Sequence, residues 1–275
     1  MLLKLRVPVD RIQSSHATRS FERICVEYFI YHSTIITLFD PDMSPATSVQ
    51  HLQEKFQRCL SSSKSPQPVV VQSPVLGSIP ELFTTIIQLT EKAGRPRSSV
   101  PDLSSSVHSQ YADMVKWQRR LDEDAGGKAV MRGGKLYEIA TRLLFLFAHI
   151  PADGPQQNEY ASEVTDAVSE GLQQLLVQPL GRVFGKYWLW PLAILGSVTT
   201  RTRDINLIRD KMDAIAQRSN CNGIKIVRYI LESNWANNSN SGVMPYSLAG
   251  LATLLDGDTM KSTSSLLLSY RDHMR

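Results

Sequence analysis

From Phe21 to Phe39 the apolar residues Phe21, Ile24, Cys25, Tyr28, Phe29, Tyr31, Ile35, Ile36, Leu38 and Phe39 recur at steps of three and four. That spacing gathers them on one helical face. The helix is expected to stop at Asp40-Pro41, because proline disfavours the helical conformation of the residue before it and has no backbone N–H to donate. Similar patterns follow at about Ser78 to Gly94, Val107 to Asp124, Gly134 to Ile150, Glu159 to Val177, Pro191 to Val198, Arg203 to Ser219, Asn222 to Trp235, Pro245 to Leu255 and Thr259 to His273. Pro80 and Glu81 suit a first helical turn, where no N–H is missed and a carboxylate faces the positive end of the dipole. Gly126-Gly127 and Gly133-Gly134 are expected to separate two of these helices. The pattern predicts an all-α fold, an irregular globular array of about eight to ten helices with little left for strands. Residues 1–20 form an extension and 21–275 one cooperative domain, with exposed loops near 61–75 and 94–106.

Composition narrows the classes open to such a fold. With 275 residues and 42% hydrophobic content, the chain can bury a sizeable core. Its 30 Lys and Arg stand against 26 Asp and Glu, a net +4 without the clustering a nucleic-acid footprint needs. Arg95-Pro96-Arg97, Arg119-Arg120 and Arg201-Thr202-Arg203 are short, and read as solvated helix surface. Cys25, Cys59 and Cys221 lie far apart without a Cys-x-x-Cys pair, so they can build neither a disulfide framework nor a zinc cluster. A reducing compartment is expected. The cations and Pro8 that interrupt the first ten residues argue against a secretory leader. The apolar runs at Leu143 to Ala148 and Tyr187 to Leu195 fall short of the roughly 18 residues that cross a bilayer, so no membrane association is expected.

Chemistry-bearing motifs fail on spacing. Gly127-Lys128 and Gly134-Lys135 invite a phosphate-loop reading, yet Ala129 stands where the first glycine belongs and Leu136 where a hydroxyl should hold magnesium. His16, His32, His51, His108, His149 and His273 are dispersed, none three or four residues from another His or Cys, so no metal site is expected. His32 and His149 sit in apolar helices, where a histidine is expected to serve as a hydrogen-bonded packing residue. No Gly-x-Ser-x-Gly elbow is present, so neither a catalytic residue nor a cofactor is expected. The most distinctive composition is Tyr187, Trp188 and Trp190 leading into Pro191, Leu192 and the helix that follows. Rings of that size dominate core energetics, so the cluster reads as a packing nucleus. The other reading is the wall of an apolar effector pocket.

Three of these segments carry a resemblance. Phe21-Glu22-Arg23 through Tyr28-Phe29 to His32, Leu76-Gly77 with Pro80-Glu81-Leu82-Phe83, and Trp190-Pro191-Leu192 with Gly196, Arg203 and Arg209 resemble the fungal-specific transcription factor domain, the C-terminal regulatory region of binuclear zinc cluster regulators. The resemblance implies an all-helical region that modulates transcription in the nucleus, often in response to metabolites. It implies as partners the transcription machinery or DNA-binding proteins, with a small apolar effector and a dimeric state open, and control of a metabolic or secondary-metabolite gene cluster. The six cysteines that hold two zinc ions in such regulators have no counterpart among the three here. Direct, sequence-specific DNA binding is therefore not expected from this chain, whether it acts alone or its zinc cluster lies upstream of Met1. A helical carrier or enzyme for an apolar small molecule is the rival reading.

Overall fold

The computed structural model describes residues 25, 28–34, 81–93, 112, 116, 129–149, 156–177, 188–218, 222–238, 246–256 and 262. Eight helical segments lie among them: α1 (28–34), α2 (Glu81–Ala93), α3 (Ala129–His149), α4 (Gln156–Val177), α5 (Leu189–Val198), α6 (Thr202–Ala216), α7 (Asn222–Asn238) and α8 (Ala249–Leu255). Among the described residues the β content is a single bridge between Thr199 and Tyr246. The fold is all-α, as the periodicity implies. The helices expected at Val107 to Asp124 and Thr259 to His273 fall mostly outside the described residues, as do the loops near 61–75 and 94–106.

The fold is organised around α5. Its sequence, LWPLAILGSV, has no polar face, and every residue from Leu189 to Val198 is buried. A helix apolar all round must be covered on all sides. Accordingly α3, α4, α6, α7 and α8 all pack against it. Close approach depends on small residues. A β-carbon at Gly196 would stand 2.7 Å from Leu231 Cδ1, and one at Gly171 the same distance from Leu195 Cδ2. At Gly250 a β-carbon would meet the backbone carbonyl of Ser197, so α8 crosses α5 at main-chain contact. Buried hydroxyls are satisfied within their own helices: Thr141 donates to Tyr137 O, Ser197 to Ala193 O and Thr199 to Leu195 O, each at 2.7 Å. That i to i−4 bond lets a polar side chain enter an apolar core.

The starts of α3 and α8 differ most from expectation. α3 begins at Ala129 and runs through Gly133-Gly134. Each glycine costs about 1 kcal/mol in a helix interior, and the buried face that starts at Leu136 and includes Ile139, Ala140, Leu143 and Leu144 outweighs it. At the other end of the chain, Tyr246 to Leu248 are not helical. Ser247 donates its backbone N–H to Val198 O at 2.9 Å beside the Thr199–Tyr246 bridge. These residues thereby satisfy an acceptor at the end of α5.

Candidate functional site

The aromatic cluster opens α5. Trp188 is its N-cap and Leu189 its first residue, so the helix begins two residues earlier than the Pro191 start expected. Pro191 remains compatible because the first four N–H groups of a helix have no intrahelical acceptor. Trp188, Trp190, Pro191 and Leu192 are all buried, and Trp190 and Leu192 fully so. Tyr187 lies outside the described residues. Trp190 lies flat on Tyr137 of α3, ring centroids 5.5 Å apart and planes within 3°.

Tyr137 also meets Phe83 of α2 at 5.1 Å, and Phe83 meets Tyr31 of α1 at 6.3 Å. Four rings on four helices thus form one aromatic path from α1 to α5. Tyr31 in turn packs edge-on against His32, which touches Tyr28. At the buried end of this path the indole N–H of Trp190 has no hydrogen-bond partner among the described residues. A buried donor left without an acceptor costs about 1–3 kcal/mol.

Beside Tyr137 runs a seam of charge between α3 and α4. Lys135 Nζ lies 3.0 Å from Glu170 Oε1 and 3.7 Å from Glu138 Oε2. Arg142 donates to Glu170 at 2.7 Å and lies 3.8 Å from Glu138. Burial opposes ionisation of Glu170, but hydrogen bonds from Arg142 and Lys135 outweigh it and hold the carboxyl below its usual range. Burial likewise opposes the charge on Arg142, while Glu138 and Glu170 hold its proton more tightly than usual. Lys135, the residue of the failed phosphate-loop reading, is thus committed to carboxylates. The signal was present in the sequence as Lys135, Glu138 and Arg142 at helical spacing, but the partner on α4 was not.

The other end of α5 is closed by α7 and α8. Trp235 donates its indole N–H to Gly196 O at 2.9 Å, and Asn234 donates to Gly250 O at 3.2 Å. Arg209 lies over the Trp235 ring at 5.1 Å and donates to Glu232 at 2.8 Å. Arg228 pairs with Asp213, so α6 and α7 run antiparallel. Arg201, expected as solvated surface, is exposed and lies over the Tyr246 ring at 5.0 Å, and Tyr246 donates to Asp204 at 3.1 Å. Burial and the Asp204 carboxylate push the Tyr246 hydroxyl pKa up.

Among the described residues no three metal-ligating side chains lie together, and no helix is long and apolar enough to cross a membrane. Around α5 the described residues place apolar side chains and one buried indole N–H without an acceptor among them.

Residues 2–274 match the family described as the fungal specific transcription factor domain. The chain belongs to that family, whose role is transcriptional regulation. A search of curated proteins and of solved structures finds no significant match.

Proposed function

We propose that this chain is a nuclear regulatory domain that alters transcription in response to an effector or a partner protein, and that it serves a metabolic or secondary-metabolite gene cluster. The family match over residues 2–274 supports the transcriptional part of this reading. The domain acts through the transcription machinery or through DNA-binding partners, and needs no catalytic group of its own. Fused to a heterologous DNA-binding module, it should change reporter output as growth conditions change. Constant output under every condition tested would count against it.

The responsive region in this reading is the start of α5, with Trp188, Trp190, Pro191 and Leu192 forming its wall. It is supported by the buried Trp190 N–H, which has no acceptor among the described residues, so a small apolar molecule bearing one acceptor oxygen suits it. Tyr187 precedes the same wall in sequence. Tryptophan fluorescence of the wild type and Trp190→Phe, read across apolar compounds with and without a carbonyl group, tests this. A shift that needs both the carbonyl and Trp190 supports the site, and equal shifts in the two proteins overturn it.

A further inference from the structure

The C-terminal ends of α2 and α3 lie side by side. Phe83 near the start of α2 touches Tyr137 midway along α3, and Lys92 near its end reaches His149 at the end of α3, so the two helices run parallel. Lys92 Nζ stands 2.8 Å from His149 Nε2, and His149 Nδ1 stands 2.9 Å from the Phe145 carbonyl. The chemistry of the partners fixes the ring. A carbonyl can only accept, so Nδ1 carries the proton; an ammonium can only donate, so Nε2 is bare. The neutral imidazole is the one form that makes both bonds. A second proton on Nε2 would remove the acceptor and set a cation against the lysine.

We propose that Lys92 and His149 form a proton-operated clasp, closed at neutral pH and released on acidification, so that acid loosens the C-terminal end of α2 from α3.

The surroundings agree. Burial lowers the His149 pKa and Lys92 lowers it further, against the opposing bond to Phe145 O. Among the charged groups of α2 it is Lys92 that acts on the ring. On α4, Glu163 and Glu170 act on Arg142 instead, and α5 has no ionisable side chain. The rest of the ring rests on Phe145, with centroids 4.2 Å apart. Because the folded pKa lies below the ordinary value, the stabilisation is complete above about pH 6.5 and is lost as pH falls from there through the folded pKa. Release would be felt beyond the clasp, since α2 carries Phe83 of the aromatic path that ends on Trp190.

Amide exchange across Leu89 to Ala93, corrected for the intrinsic rate at each pH, tests it on the full chain. Between pH 7.5 and 5.5 the wild type should lose protection by about fivefold, the size of one net hydrogen bond. His149→Gln, which keeps an acceptor but cannot titrate, should show no such loss. Lys92→Met should raise the midpoint at which the His149 ring resonances titrate. Equal pH dependence in the wild type and His149→Gln, or a wild-type His149 midpoint at or above the ordinary histidine value, would overturn the clasp.

Discussion

Two tryptophans close the two ends of the central helix, and they differ in one hydrogen bond. Trp190 is fully buried at the start of α5, stacked on Tyr137, with no acceptor for its N–H among the described residues. Trp235 is as deeply placed at the far end, but its N–H is donated to Gly196 O. Both supply large apolar area to the core. Among the described residues the two ends therefore differ in whether the indole N–H is satisfied.

The largest expected effect lies at the completed end. Gly250→Ala puts a methyl group on the Ser197 carbonyl, where no rotamer can relieve the collision, and should cost about 3 kcal/mol or more in denaturant unfolding. A loss below about 1 kcal/mol would mean that α8 can shift away from α5, and that this end is less rigid than its contacts imply. The next effect compares the tryptophans directly. Trp235→Phe deprives Gly196 O of a donor, whereas Trp190→Phe removes a donor with no acceptor among the described residues. Trp235→Phe should therefore be the more damaging by about 1 kcal/mol, one net hydrogen bond. The reverse order would dissolve the distinction between the two ends.

What the sequence made legible follows from the range of the signals. Helical periodicity is local, so α4, α6 and α7 appear within a few residues of their expected bounds, and the apolar run at Tyr187 to Leu195 is legible as a core helix or helix start. The start of α3 was misplaced because Gly133-Gly134 speaks locally for a break, while the packing that overrides it comes from α2, α4 and α5. The cluster at Trp188 and Trp190 was visible as composition. Its stacking partner Tyr137 was not, because 53 residues separate it from Trp190 and no local pattern encodes that distance. Nor did Gly250 stand out, since its role depends on Ser197 of another helix.

Acid should separate the two ends further. Glu170 lies in the seam beside Tyr137, and its carboxyl is held below the usual range by Arg142 and Lys135. Its stabilisation is complete above the unfolded value of about 4.3 and is lost as pH falls through the lower folded value. Glu170→Gln should cost about 1–2 kcal/mol at pH 7, the worth of a charge-assisted hydrogen bond, and should flatten the acid limb of the stability profile. An unchanged acid limb would show that the seam contributes no pH dependence.

The smallest effect concerns the completed end again. Tyr246→Phe removes the hydroxyl that donates to Asp204 at 3.1 Å, and leaves the ring beneath Arg201 and the bridge to Thr199 in place. Asp204 is only partly buried and can take water instead. The loss should therefore be about 0.5–1 kcal/mol, measured by denaturant unfolding, with Trp235 fluorescence unchanged because its bond to Gly196 O does not pass through Tyr246. A shift in that fluorescence would show that closure at this end is one coupled network, in which the phenol of Tyr246 and the indole of Trp235 hold α5 together and not as separate bonds.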